Sequence, residues 1–173
     1  MAFEVNTYES KVLGLKIFEN SISSDLRGTI WTSFNSDNQY YQLPSDLIFK
    51  HDKFSFSKKN VLRGIHGDSK SWKLVTCVFG EIMQVVVDLR ENSKMYKRYE
   101  IFKLDGVSPV SLLVPPGMGN AYLVKSNSAV YHYKLAYEGD YIDASEQFSV
   151  KWDDPSINIE WPILDPILSE RDN

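Results

Sequence analysis

His66 and Lys73 flank a short polar loop, GDSKSW, and are the two side chains whose types and spacing best suit proton chemistry. The stretches that carry them, NVLRGIH and KLVTCVF, have the apolar character typical of strands. Along an extended strand Leu62, Gly64 and His66 point to one face, and glycine at 64 leaves room for a ligand or another backbone. Neighbouring strands would therefore bring an imidazole and an ammonium into the same barrel mouth.

Short strand patterns separated by turn signals account for most of the chain. Apolar and polar residues alternate in VLGLKIFE, and the further strand-like stretches are GTIWTSF, DLIFKHDKFSFS, NVLRGIH, RYEIFKL, SLLVPP, NAYLV and AVYHYKLAY. KLVTCVF and EIMQVVVDLR are joined by Gly80 and are predicted to form a hairpin pair. Because no long amphipathic helix or internal repeat interrupts them, these strands predict an all-β sandwich or barrel.

The chain after Ala144 has a different character. The stretch WDDPSINIEWPILDPILSERDN holds three of the seven prolines and predicts an extended tail that wraps over the barrel. One short helix is expected near residues 144–148. No linker or shift in composition marks a second domain, so we expect a single domain over residues 1–173.

The bulk composition limits the partners and the compartment. The chain has 173 residues and a net charge of −4, so no overall positive field attracts nucleic acid, and an anionic substrate would need a local cluster of Arg and Lys. Cys77 is the one cysteine, which excludes an intrachain disulfide and favours a reducing compartment. No signal-peptide pattern and no apolar run of ~20 residues is found. We therefore expect a soluble cytoplasmic protein without a membrane segment.

The arrangement of the three histidines disfavours a metal site. His51, His66 and His132 fall on three separate segments. Barrel enzymes that hold a metal usually carry two histidines one residue apart and a carboxylate, whereas Gly67 and Asp68 follow His66. We expect no metal ion, which argues against a metal-dependent dioxygenase.

Seven motifs, in the right order, resemble those of the dTDP-4-dehydrorhamnose 3,5-epimerases, a family of cupin sugar epimerases. They are DLRG (25–28), HDKFSFS (51–57), RGIHGDSKSWKL (63–74), GEIMQVVVDLR (80–90), VPPGMGNAYLV (114–124), YHYK (131–134) and the endings WDDPSINIEWP and PILSERD (152–172). The resemblance covers nearly the whole chain. It implies a cupin, or jelly-roll, β-barrel (a double-stranded β-helix) with an extended C-terminal tail.

The resemblance also implies a mechanism. The substrate would be a nucleotide-linked 4-keto sugar, whose ketone acidifies the hydrogens on C3 and C5. His66 matches the base that forms the enolate, Tyr133 the acid that returns a proton with inverted configuration, and Lys73 the cation near the enolate oxygen. Asp172 matches the carboxylate that orients His66. No cofactor is expected.

Further motif positions correspond to those at which the family meets its nucleotide sugar. Arginine can grip phosphate oxygens with two parallel hydrogen bonds. The predicted substrate-binding residues are Arg27, His51, Lys53, Ser55, Arg63, Asn120 and Arg171. In the family the N-terminal segment crosses to a second subunit, which implies a homodimer with N-terminal strand exchange, in which Arg27 would serve the other subunit's site.

Several residues depart from the rhamnose pattern inside the predicted site. Asn120 replaces a histidine, Gln84 replaces an aspartate, and Thr32 replaces a glutamate. His51 and Lys53 replace a glutamine and an asparagine. Gly67 and Asp68, directly after His66, replace an aromatic residue and a glutamine. The four residues matched to catalysis are all retained. The proton chemistry is therefore expected to survive, while the sugar or the nucleotide is expected to differ.

With these changes the pattern resembles the narrower group of 3- or 3,5-epimerases that act on GDP-linked 4-keto-heptoses in Campylobacter capsule biosynthesis. Asparagine at 120 is smaller than histidine and would accommodate the extra hydroxymethyl arm of a heptose. The alternatives are a dTDP-4-dehydrorhamnose 3,5-epimerase, a nucleotide-sugar 3,4-ketoisomerase and a non-catalytic sugar-binding cupin. The pattern leaves open whether C3 alone or both C3 and C5 are inverted.

Overall fold

The structure is a computed structural model that describes residues 5–12, 14–36, 41, 43–44 and 47–173. Within this part of the chain no helix has the length and apolar character needed to span a bilayer. The described residues contain thirteen strands: β1 (Val5–Glu9), β2 (Lys16–Asn20), β3 (Ile22–Asp25), β4 (Gly28–Trp31), β5 (Phe49–Lys58), β6 (Leu62–Gly67), β7 (Trp72–Phe79), β8 (Glu81–Asp88), β9 (Tyr99–Asp105), β10 (Val110–Val114), β11 (Met118–Val124), β12 (Ser128–Ala136) and β13 (Phe148–Ser149).

Two antiparallel sheets form the barrel. One has six strands in the order β1-β2-β10-β7-β12-β5, and the other has five in the order β13-β6-β11-β8-β9. Alternate side chains of both sheets meet in one buried core, where Val75 and Cys77 of β7 join Val86 of β8 and Val124 of β11. An apolar core shared by two sheets is what an all-β sandwich or barrel requires. The predicted all-β architecture is confirmed.

The predicted hairpin between the seventh and eighth strands is wrong. β7 pairs with β10 and β12, whereas β8 pairs with β9 and β11, so the chain passes from one sheet to the other at Gly80. Gly80 has φ +79°, and a Cβ there would lie 2.1 Å from the carbonyl oxygen of Ser128. A glycine turn between two apolar strands fits either a hairpin or a crossover, and contacts with distant strands decide between them.

The strands β3 and β4 form a separate two-stranded hairpin. Its apolar residues are uncovered: Leu26 is fully exposed and Ile30 is 73% exposed. The sequence patterns predicted β4 but not β3, nor β1 before it. Exposed apolar side chains on a projecting hairpin are typical of a surface that meets another chain.

The C-terminal segment folds back over the barrel, as predicted. Ile157 and Trp161 pack on the outer face of the five-stranded sheet, and Ile167 forms a parallel bridge with Val61. The region predicted as a short helix is a single 3-10 turn, Ala144–Glu146, followed by β13. This path leaves Asp172 buried, at 6% exposure.

Candidate active site

A cavity of about 350 Å³ opens between the two sheets and is closed on one side by the C-terminal segment. Its lining includes nine of the eleven predicted site residues: Lys53, Ser55, Arg63, His66, Lys73, Asn120, Tyr133, Arg171 and Asp172. They come from strands β5, β6, β7, β11 and β12 and from the tail. The predicted residues are thus gathered from distant parts of the chain into one site.

A β-bulge in β6 aims His66 into this cavity. His66 pairs with Asn120 of β11, but Arg63 pairs with Tyr122, so three steps on one strand oppose two on the other. The expected alternation of Leu62, Gly64 and His66 is therefore wrong, because Arg63 and His66 both line the cavity while Leu62 is fully buried. The space beside Gly64 is filled by the backbone of β11.

His66 and Asp172 form a close pair. Nε2 of His66 lies 2.6 Å from Oδ1 of Asp172, although the N–H bond is not aligned well enough for a good hydrogen bond. Ser169 donates a hydrogen bond of 2.8 Å to Oδ2. Burial raises the pKa of the Asp172 carboxyl, but His66, Ser169 and the charge of Arg171 lower that pKa more. The net pKa lies below its ordinary value, so Asp172 is an anion beside the imidazole.

Lys73 projects from β7 into the same cavity and is 8% exposed. Burial lowers the pKa of its ammonium, the carboxylate of Asp68 opposes that change, and Arg171 adds to it. The pKa of Lys73 therefore ends below its ordinary value. Asp68 Oδ2 lies 3.8 Å from Lys73 Nζ, which makes it an ion-pair partner of this lysine.

Tyr133 stands on the wall opposite His66. It belongs to β12 of the six-stranded sheet, where its register partners are Val75 and Lys53, whereas His66 belongs to the five-stranded sheet. Burial raises the pKa of the Tyr133 hydroxyl, and Lys53 lowers that pKa by less. The hydroxyl therefore keeps its proton at neutral pH and is available as a donor.

A neutral hydrogen-bond network supports Asn120. Gln84 is fully buried, and its Nε2 donates to Asn120 Oδ1 over 2.7 Å and to the carbonyl oxygen of Val85 over 3.0 Å. The Tyr131 hydroxyl donates to the same Oδ1 over 3.2 Å. With its oxygen engaged twice, Asn120 has its amide N–H groups available to a ligand in the cavity.

The cavity is locally positive although the whole chain carries a net charge of −4. Its lining holds the cations Lys53, Arg63, Lys73 and Arg171 against the carboxylates Asp143 and Asp172. Arg63 Nε donates to Ser57 Oγ over 3.0 Å, which fixes the guanidinium. The buried Nη2 of Arg171 has no hydrogen-bond partner among the described residues. This is the local cluster that an anionic substrate needs.

Two predicted binding residues do not line this cavity. Arg27 lies at the tip of the β3–β4 hairpin, where its side chain is 90% exposed and paired with Asp25. His51 lies two residues before Lys53 on β5 and does not line the cavity, although its ring packs 4.6 Å from that of Tyr141, which does. Within one chain neither Arg27 nor His51 is therefore part of the lining.

The prediction from sequence missed other aromatic residues of the cavity. Tyr122 hydrogen-bonds Ser55 over 2.8 Å, and Tyr141 accepts a hydrogen bond from Lys53. Tyr122 lies two residues after Asn120 on β11, so the alternation of the strand could have revealed it. Tyr141 follows the end of β12, and no periodic signal marks it.

The third histidine lies outside the cavity. His132 contacts Asp52, is stacked by Phe54 at 4.5 Å between ring centroids, and is 5% exposed. Among the described residues no three His, Cys, Asp or Glu side chains come together as a metal-binding group would require. His132 has a packing role on the outer face of the sheet.

The chain matches the sequence model of the family described as dTDP-4-dehydrorhamnose 3,5-epimerase over residues 9–173. It is 32% identical over 171 residues to the dTDP-4-dehydrorhamnose 3,5-epimerase of Shigella flexneri, covering 97% of this chain and 93% of that protein. It is 34% identical over 155 residues to the dTDP-4-dehydrorhamnose 3-epimerase of Streptomyces niveus, covering 86% and 72%.

A solved structure agrees. The dTDP-6-deoxy-D-glucose 3,5-epimerase of Legionella pneumophila, solved in complex with dTDP-4-keto-L-rhamnose, matches with a TM-score of 0.88 and 32% identity, over 98% of this chain and 90% of that chain. The predicted cupin jelly-roll fold is thereby confirmed. The chain therefore belongs to the dTDP-4-dehydrorhamnose 3,5-epimerase family and is a carbohydrate epimerase.

Proposed function

We propose that this epimerase inverts C3 and/or C5 of a nucleotide-linked 4-keto sugar, with His66 removing a proton and Tyr133 returning one. The observation that carries the proposal is the arrangement of these groups on opposite walls of one cavity. His66, paired with Asp172, lies on the five-stranded sheet, and Tyr133 lies on the six-stranded sheet beside Lys73. A sugar between the two walls would lose a proton from one face and gain it on the other.

The chemistry has three steps. Nε2 of the imidazole faces the Asp172 carboxylate, which leaves Nδ1 as the basic nitrogen that takes the hydrogen next to the ketone. Negative charge then develops on the C4 oxygen, and the Lys73 ammonium stabilises that enolate. Tyr133 returns a proton to the same carbon on the opposite face. Because Asp172 is anionic, it also stabilises the imidazolium formed in the first step.

We further propose that the substrate is a GDP-linked 4-keto-heptose and that the reaction serves capsular polysaccharide biosynthesis in the cytoplasm. The Gln84–Asn120 network supports it, because two neutral amides replace the aspartate and histidine of the rhamnose pattern within the cavity. Asparagine leaves more space than histidine beside the sugar. The resemblance of the site motifs to the GDP-heptose group supports the same assignment.

A dTDP-4-dehydrorhamnose 3,5-epimerase is the second candidate. The Shigella flexneri relative carries that name, and it matches 97% of this chain at 32% identity. The Streptomyces niveus relative is named a 3-epimerase, so the number of inverted carbons varies between members of the family.

One experiment separates these substrates and tests the reaction. Incubation with GDP-linked and dTDP-linked 4-keto sugars in D₂O, followed by NMR, identifies the nucleotide, the sugar and each carbon that exchanges its hydrogen. We expect exchange and inversion with the ketone still at C4, and no exchange with His66→Asn. A carbonyl moved to C3 would indicate a ketoisomerase, and a wild-type protein that binds without exchange would indicate a non-catalytic cupin.

A homodimer with exchanged N-terminal hairpins completes the proposal. The β3–β4 hairpin carries Arg27 away from the cavity of its own chain and exposes Leu26 and Ile30. In the dimer Arg27 meets the diphosphate in the other subunit's cavity. Mixing Arg27→Ala chains with His66→Asn chains tests this exchange. About half of the randomly formed dimers would contain one chain of each kind, and each such dimer would hold one intact site out of two. The mixture should therefore recover about a quarter of wild-type activity. Recovery at background level would exclude the exchange.

A further inference from the structure

Asp68 is a buried carboxylate that the mechanism above does not use. It is 4% exposed and lies in the loop after β6. Its Oδ1 accepts hydrogen bonds from the backbone N–H groups of Lys70 (2.9 Å) and Ser71 (2.6 Å). Its Oδ2 has no hydrogen-bond partner among the described residues and lies 3.8 Å from Lys73 Nζ. One oxygen therefore shapes the loop, and the other is left facing the ammonium.

The surroundings of Lys73 disfavour its charged form. A buried ammonium without a partner tends to lose its proton. Burial and the charge of Arg171 both lower the pKa of Lys73, whereas the charge of Asp68 raises it. His66, Tyr133 and Asp172 line the same cavity. Asp68 is thus the carboxylate in ion-pair contact with Lys73.

We propose that Asp68 is a positioning residue that keeps Lys73 positively charged while the enolate forms. The inference rests on the proposed function, because an anionic intermediate is what requires a cation at this place. A neutral amine would lack the charge that stabilises the enolate oxygen. Asp68 is also one of the residues that differ from the rhamnose pattern, in which glutamine stands at this position. The carboxylate is therefore among the features that distinguish this site from that pattern.

The chain offers a matched control for this charge. Asp105 Oδ1 accepts hydrogen bonds from the backbone N–H groups of Val107 (2.9 Å) and Ser108 (2.8 Å), and its Oδ2 lies 3.8 Å from Lys103 Nζ. The local geometry thus repeats that of Asp68. The Lys103 side chain is 66% exposed and lies outside the cavity. Asp105→Asn therefore removes a similar charge without touching the site.

The test compares Asp68→Asn with Asp105→Asn. Asparagine retains Oδ1 and so retains the loop hydrogen bonds. The pKa of Lys73 is followed in the full chain by ¹³C NMR of lysine Cε, with the Lys73 signal assigned from Lys73→Arg. Loss of an opposite charge at this distance should lower that pKa by about 1–3 units in Asp68→Asn and leave it unchanged in Asp105→Asn. An unchanged pKa in Asp68→Asn overturns the proposal.

The pH profile of kcat provides the functional readout. Activity needs the protonated lysine and falls as the pH rises through its pKa, so a lower pKa moves the alkaline limb to lower pH. If the wild type epimerises no 4-keto sugar, the proposed function fails, while the NMR titration still decides the charge role. If the wild type is active and the Asp68→Asn profile is unmoved, the charge role alone fails. Should Asp68→Asn not fold, Asp68→Ser, which keeps an acceptor for the loop, takes its place.

Discussion

Asp172 Oδ1 lies 2.6 Å from His66 Nε2, and this contact joins the C-terminal segment to strand β6. The Asp172 side chain is 3% exposed, and that of His66 is 21% exposed. The carboxylate is thus shielded from water, while the imidazole reaches the cavity. A shielded anion behind a partly open imidazole suits a base that must become positive during the reaction.

Asp172→Asn should lower kcat by about 10²–10⁴-fold with a small change in stability. The amide cannot stabilise the imidazolium by charge, although it fills the same space. Steady-state kinetics on the accepted 4-keto sugar measures the loss, and thermal unfolding checks the fold. Asp165→Asn is the control, because Asp165 is an exposed aspartate of the same tail. Equal kcat values for the two variants would remove Asp172 from the mechanism.

Tyr133→Phe should separate proton removal from proton return. His66 still forms the enolate in this variant, so solvent deuterium enters the sugar, but the product of inversion falls more than exchange does. NMR in D₂O measures both quantities in one sample. Tyr96→Phe removes a hydroxyl from a tyrosine that is 42% exposed and outside the cavity, and it should behave as wild type. Parallel loss of exchange and inversion would argue against Tyr133 as a separate acid.

The effect of Gln84→Asp on stability should depend on whether residue 120 is asparagine or histidine. An aspartate at 84 is fully buried and lacks a charged partner while asparagine remains at 120. We expect Gln84→Asp alone to lower the free energy of unfolding by about 1–3 kcal/mol. The double variant should recover at least half of that loss, because the histidine can pair with the carboxylate. Denaturant unfolding of the four proteins measures the coupling, and additive losses would contradict it.

The same double variant tests the substrate assignment. A histidine at 120 takes space beside the sugar, so kcat/KM for a GDP-linked 4-keto-heptose should fall by at least about tenfold relative to that for a dTDP-linked 4-keto-hexose. Competition between the two substrates measures the ratio directly. An unchanged ratio would show that Asn120 does not set the choice of sugar.

Gly64→Ala should destabilise the fold far more than Gly28→Ala. Both glycines have a positive φ, +113° and +128°, so alanine is strained at either position. At Gly64 the new Cβ would also lie 2.5 Å from the carbonyl oxygen of Asn120, whereas at Gly28 it meets nothing within 4 Å. The difference in the free energy of unfolding should be about 1–3 kcal/mol. Equal destabilisation by the two substitutions would contradict this prediction, and it would mean that β11 shifts to make room for the new Cβ at position 64.

Local patterns predicted most strands, but they did not predict which strands pair. KLVTCVF and EIMQVVVDLR form strands, as predicted, yet Gly80 joins them across two sheets. The predicted common face of Leu62, Gly64 and His66 was also wrong, because a bulge adds a residue that no local pattern reveals. Pairing and bulges depend on contacts between distant segments, and a single sequence does not display them.

The predicted site depended on two kinds of information. The strand pattern alone placed His66 and Lys73 near each other, and the structure has both at one cavity. Tyr133, Arg171 and Asp172 were found through the motif resemblance, since nothing local indicates that the tail returns to β6. Tyr141 carries no such motif and was missed. Its position follows from the path of the chain after β12.

The crossing at Gly80 has a consequence for the order of folding. Because the chain crosses between the sheets there, β7 and β8 do not pair with each other as a local hairpin. β7 pairs with β10 and β12, and β6 pairs with β11 and β13, so neither strand finds its partners until those later strands are present. Such distant pairings require long loops to close first, which slows folding to about milliseconds to seconds. The cavity draws its walls from both halves of the chain and from the tail. During synthesis it would therefore be among the last parts of the molecule to take shape.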